Sequence, residues 1–222
     1  MKFTKPMQFL ALMPFSLSSF LGTGFGDLVS PIPSEQVLSV REMSLENRWP
    51  NSFVNNVFKD NILLNLAYFA GTPVSSKPNW DEVKKSSSFE FRLDPQQTFA
   101  FHDDVLAKYK GKVTKTTNAH FNSYEGFKTD GYLFGDGVCH LASLIYWAAK
   151  EAGLEAEAPT AHDFAKINDI PKEFGVSIYN NPYTKGSNAQ QNLYVTNNKN
   201  KPIAFKFEYS DNKVKVSVSE MN

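Results

Sequence analysis

The chain of 222 residues holds one cysteine, Cys139. It stands in the run Gly135-Asp136-Gly137-Val138-Cys139-His140, directly ahead of an apolar stretch. A thiol in the first turn of a helix lies at the positive end of the macrodipole, near backbone N–H groups without an intrahelical partner, and both favour thiolate over thiol. Glycines at 135 and 137 let the backbone approach a ligand closely, and the amides of such a turn can hold the oxyanion of a tetrahedral intermediate. These residue types in this order point to acyl transfer, with Cys139 as nucleophile and Gly135, Asp136 and Gly137 as the oxyanion turn. The other reading of a lone thiol, a small residue packed under a sheet, stands beside it on chemistry alone.

A nucleophilic cysteine needs a base brought to it in space. The chain offers His102, His120, His140 and His162. Neighbours on a helix point about 100° apart, so His140 is poorly placed to meet the Cys139 sulfur and reads as a polar first-turn residue. His162, in the segment Ala158-Pro159-Thr160-Ala161-His162-Asp163-Phe164, arrives from elsewhere in the chain and is the predicted base. His102, His120, His140 and Asp163 could line the cleft. The group that orients the imidazole stays open among Asp163, Glu173, Asn180 and Asn192.

Composition narrows the classes. Hydrophobic residues make up 41% and charged residues 21%, which suits a folded domain and is too apolar for a disordered chain. Lys+Arg and Asp+Glu both number 23, and no basic stripe stands out, so nucleic acid is not an expected ligand. One cysteine permits neither an internal disulfide nor a cysteine ligand set, and no metal or cofactor is expected. Lys2 and Lys5 precede the apolar run Met7–Phe20, followed by Gly22, Gly24 and Gly26, the order of a secretory signal over residues 1–26. That run could also touch a membrane transiently, but it is short for a permanent span.

The elements that must position the cysteine follow from periodicity. Residues 27–40 carry proline and serine with weak periodicity and read as a linker. Residues 41–85 form an N-terminal helical segment, with Phe53, Val57, Ile62, Leu63, Leu66 and Phe69 at helical spacing and a break possible near Asp60-Asn61. Residues 86–222 form the main domain. Phe89–Leu93 and Thr98–Phe101, separated by Asp94-Pro95-Gln96-Gln97, predict a hairpin. Residues 103–130 are a long polar segment with scattered aromatic residues, a length of loop that is usually functional. From Cys139 onward, Leu141, Leu144, Ile145, Ala148, Ala149 and Ala152 share one stripe and Gly153 closes the helix. Four β-rich runs follow, with Asp211-Asn212 as the turn between the last two. The expected fold class is α+β: a cysteine-bearing helix packed on a mainly antiparallel sheet, with an N-terminal helical segment.

Leu93-Asp94-Pro95 with Thr98-Phe99-Ala100-Phe101-His102, the turn Gly135–His140, Thr160-Ala161-His162-Asp163, and Leu193-Tyr194-Val195-Thr196-Asn197-Asn198 with Pro202-Ile203 together resemble the VanW-like domains of bacterial cell-envelope proteins over roughly residues 88 to 208. The chain resembles a divergent member: Asp136, His140 and His102 stand where the family pattern has glycine, glutamine and asparagine. Some members of that family act as L,D-transpeptidases. The resemblance therefore implies an exported cysteine acyltransferase acting on peptidoglycan stem peptides, with Cys139 as nucleophile and His162 as base. Two other readings remain. One is a non-catalytic wall-binding module that grips glycan or peptide through Tyr109, Phe121, Tyr124 and Phe127 of the long loop. The other is a cysteine peptidase or amidase of papain- or transglutaminase-like geometry.

Overall fold

The computed structural model of the protein describes residues 35–132 and 134–222. The apolar segment 1–26, read above as a signal, and the first part of the linker lie outside them. Strand β1 (Gln36–Ser44) begins the described chain, so residues 36–40 are strand and not linker. The alternation there is too weak to read because both faces are mixed: Ser39 and Met43 are buried, Val37 and Val40 exposed.

Helix α1 (Ser52–Phe69) starts at Asn51, whose side chain accepts from the Phe53 and Val54 amides at 2.9 and 3.2 Å. It runs unbroken through Asp60-Asn61. Those two polar residues do not disrupt it because each is answered: Asp60 pairs with Lys84 and Lys128, and Asn61 bonds backbone groups of the loop ahead of the cysteine. A one-turn helix α2 (Trp80–Val83) leads to β2 (Ser87–Leu93), β3 (Thr98–Ala100) and β4 (Val113–Lys115). Helix α3 (Val138–Glu151) carries the cysteine. After it come β5 (Glu155–Glu157), the short α4 (Lys185–Gln190), β6 (Tyr194–Thr196), β7 (Ile203–Ser210) and β8 (Lys213–Glu220).

Two four-stranded sheets result, ordered β1-β8-β7-β2 and β4-β3-β6-β5. Every pairing is antiparallel except β3 with β4. The fold is α+β, as expected, with two sheets in place of one. The expected β2–β3 hairpin does not form: β2 pairs with β7 and β3 with β6 and β4. The cause is local. At Asp94–Gln97 the chain crosses from one sheet to the other through Gln96 in the left-handed region (φ 66°). Buried Asn197 holds that crossing by exchanging backbone bonds with Gln96 and Gln97 and donating from Nδ2 to the Leu93 and Lys201 carbonyls. The β7–β8 hairpin forms as predicted, with Asp211 and Asn212 both at positive φ.

One apolar cluster joins the elements. Phe69, at the end of α1, meets Phe89, Phe91, Phe99 and Phe207, and the cross-strand pairs Phe89–Phe207 and Phe91–Phe205 stack at 4.8 and 5.1 Å. Met43, Ile62 and Leu63 belong to the same cluster as Leu141, Leu144 and Val216, so residues 36–85 share the core of the rest of the chain. Ser39 of β1 donates to the Ala148 carbonyl at 2.7 Å, tying α3 to the first sheet. Burial of the α3 stripe therefore fixes the direction in which its N-terminus points.

Candidate active site at the start of helix α3

The turn ahead of α3 is built by close packing. Gly137, its N-cap, has φ 98°, and a Cβ there would stand 2.7 Å from the Phe58 carbonyl oxygen of α1. At Gly135 (φ 83°) a Cβ would meet the Phe121 side chain at 2.6 Å. The glycines are thus required by the approach of α1 and of the long loop, and not by that of a ligand alone. Asn61 Nδ2 donates to the Lys128 and Asp136 carbonyls at 3.0 and 2.9 Å, and its Oδ1 accepts from the Lys128 amide at 2.8 Å. One buried amide therefore pins both arms of the 128–136 loop. Its only sign in the sequence is a polar pair inside an apolar helix.

Cys139 is half-buried, with its sulfur enclosed by protein. The Ile178 amide donates to Sγ at 3.3 Å and the thiol donates to the Ile178 carbonyl at 3.5 Å. Ser143, one turn along α3, donates to the Cys139 carbonyl at 2.7 Å and accepts from the Val176 amide at 2.9 Å, which holds the 176–178 segment beside the thiol. Burial pushes the Cys139 pKa up to about 11; the Ile178 bond opposes this and the Asp136 charge adds to it. The lowering expected from the helix terminus is outweighed by desolvation.

His162 and His140 stand with their ring centroids 6.1 Å apart. The Ala165 carbonyl, which can only accept, bonds His162 Nδ1 at 3.1 Å. The proton therefore sits on Nδ1, and Nε2 keeps its lone pair. A backbone carbonyl, and none of the four side chains considered, thus orients the ring. Burial lowers the His162 pKa, so the imidazole is neutral near pH 7. No hydrogen bond joins it to Cys139. His140 is 3% exposed, its ring edge-on to Phe58 at 5.2 Å, and its Nδ1 has no partner. Burial, with repulsion from Arg48 and His162, takes its pKa down to about 3.

These groups line one cavity of about 600 Å³, a size typical of small-ligand sites. Gly135, Asp136, Gly137, Cys139, His140 and His162 all contribute to its wall. His102, His120 and Asp163 do not. His102 is buried between the Gln191 carbonyl (3.0 Å) and Asn192, and burial lowers its pKa. His120 bridges Glu125 at 2.8 Å and Asp103 at 3.1 Å, and the Glu125 bond raises its pKa to about 9. Asp163 is exposed. The loop aromatics divide differently from expectation: Tyr109, Phe121 and Phe127 are core residues, and Tyr124 is exposed. The exposed rings at the cavity are instead Trp49, Tyr132, Phe134, Phe164 and Tyr179.

The sequence model described as VanW like protein matches residues 89–219, more than half of the chain and all of the cysteine helix. The chain belongs to the VanW-like family. Family membership suggests a cell-wall-related protein. No curated protein and no solved structure matches the chain. The VanW-like match starts within β2 and ends within β8, so β1, α1 and the connection between them, which supplies Trp49 to the site as α1 supplies Phe58 and Asn61, lie ahead of it. Among the described residues no three or more metal-ligating side chains gather, and no helix is long and apolar enough to cross a membrane.

Proposed function

We propose that the protein is an exported cell-envelope acyltransferase that uses Cys139 to cleave and rejoin peptidoglycan stem peptides. The observation that carries this is that Cys139, the chain's one cysteine, and His162, with its neutral, oriented imidazole, line the same cavity. With the thiol pKa near 11 there is no standing thiolate at neutral pH, so deprotonation accompanies attack. His162 Nε2 takes the Sγ proton as sulfur bonds to the peptide carbonyl carbon, after a small movement on substrate binding closes the gap between them. The Gly135, Val138 and His140 amides are already bonded to the Lys128, Gly135 and Gly137 carbonyls, which leaves the Asp136, Gly137 and Cys139 amides to hold the oxyanion. The His162 imidazolium then protonates the leaving amine. The thioester passes to an incoming amine in transfer or to water in hydrolysis.

The test is intact-protein mass after incubation with purified peptidoglycan fragments. An acyl adduct mapped to Cys139, absent from Cys139→Ala, supports the reading; its absence on every fragment, with the protein folded, refutes it. The N-terminal basic and apolar segment supports export, which N-terminal sequencing of the cell-envelope form would check.

A second reading, a non-catalytic wall-binding module, is favoured by the bonding of the thiol to the Ile178 backbone and by the exposed rings at the cavity. Aromatic faces of this kind suit sugar or peptide ligands. On that reading Cys139→Ala binds peptidoglycan as well as the parent and no adduct forms.

A further inference from the structure

We infer that the Asp130–Asp136 carboxyl pair in the wall of this cavity is a subsite for a cationic primary amine of the ligand. The inference rests on the reading above only in taking the cavity as the place where substrate binds. The Asp130 amide donates to Asp136 Oδ2 at 3.2 Å, and the Asp130 charge acts on the Asp136 carboxyl. Both line the cavity, whose described wall holds no lysine or arginine. Lys128, two residues from Asp130, is engaged elsewhere, with Asp60. Burial and its neighbour Asp130 raise the Asp136 pKa to about 6, the mark of a carboxylate without a counter-ion.

A second observation asks for a ligand at the same place. His140, almost fully buried, lines this cavity with Nδ1 unbonded, and Asn180 lines it with a buried Nδ2 that has no partner. Buried polar atoms are seldom left so, and a peptide's N–H and C=O groups would satisfy them. Five exposed aromatic rings around the cavity offer faces that also attract cations. An organic ammonium fits better than a metal ion, since no three ligating side chains converge among the described residues. An ammonium seated on the pair would also cancel the Asp136 charge that disfavours the Cys139 thiolate, so the correct ligand would ease the ionisation of its own nucleophile.

The experiment is calorimetric titration of the full chain carrying Cys139→Ala with two probes, N-acetyl-lysyl-D-alanine and its Nε-acetylated counterpart. The free-amine peptide is expected to bind about tenfold or more tighter, as a charge-assisted contact implies. Asp136→Asn, which can still accept the Asp130 amide, should reduce the ratio, and Asp130→Asn with Asp136→Asn should bring it near one. Equal affinities in the parent, no binding of either peptide, or a preference that survives the double substitution would overturn the inference. The parent comparison decides even where the double variant fails to fold. Because the readout uses protein without the thiol, a missing thioester on the unsubstituted protein would sink the enzymatic reading and leave this one intact.

Discussion

Two histidine sites in the same domain are built on opposite terms. Around His120 every polar group is answered: both ring nitrogens meet carboxylates, and Glu125 also accepts the His120 amide at 2.7 Å. The ring stays charged to about pH 9 and the long loop is held closed on itself. Around His140 and His162 the rings are kept neutral by burial, one nitrogen is unbonded, and the neighbouring carboxyl pair has no cation. A structural polar site satisfies its own members, whereas a binding site leaves valences for what it binds. The difference separates the histidine that shapes the loop from the two that face the cavity.

The largest test of that contrast is catalytic. His162→Ala should lower thioester formation by about 100- to 10,000-fold, the range for loss of a general base, while His120→Ala leaves the chemical step largely unchanged in protein that stays folded. Kinetics on a stem-peptide fragment would check this, and a greater loss from His140→Ala than from His162→Ala would break the assignment. Next in size, Leu144→Ala, at a fully buried position on α3, should cost about 2–5 kcal/mol in denaturant melts. A change within about 0.5 kcal/mol would mean that the stripe does not frame the cleft.

The thiol follows. Its alkylation by iodoacetamide should rise through an inflection near pH 11, and not below the free value of about 8.5. An inflection below 8.5 would mean that the helix terminus outweighs burial.

The smallest effects set the two sites directly against each other. His120→Ala leaves the buried Glu125 carboxylate short of a partner and should cost about 1–3 kcal/mol. His140→Phe removes an unbonded buried nitrogen and should change stability by less than about 1 kcal/mol. Their pH signatures have opposite sign. His140 has a depressed pKa, so its contribution is present above about pH 6.5 and lost as the pH falls towards about 3. His120 has a raised pKa, so its contribution is present below about 6.5 and lost as the pH rises through about 9. Urea midpoints across pH should show the acid limb flattened in His140→Phe and the alkaline limb flattened in His120→Ala.

Helices α1 and α3 and the last hairpin are legible in the sequence, because a 3.6-residue stripe such as Leu141–Leu144–Ile145–Ala148 and a turn pair such as Asp211-Asn212 are local signals, whereas the short α2 and α4 carry no such stripe. The α+β class and the VanW-like resemblance follow from those runs and from the cysteine turn. Strand pairing is not legible: the polar turn at Asp94–Gln97 looks the same whether it closes a hairpin or crosses between sheets, and buried Asn197, about a hundred residues away, decides which.

For the site, the residue types of the cysteine turn single out Cys139 as a candidate nucleophile, since helix termini and glycine turns are encoded within a few positions, and His162, from a separate segment, as its candidate base. Three properties are left to the tertiary structure. The sulfur's pKa goes up because burial by the 176–178 segment outweighs a helix-end field that acts over one turn. The imidazole is oriented by the Ala165 carbonyl, a group every residue possesses and no sequence can single out. Asp130 and Asp136 share one cavity wall that holds no lysine or arginine, and Lys128, two residues from Asp130, is bound to Asp60. Charge balance along a chain says nothing of balance at one point in space, and it is the local imbalance that a ligand can meet.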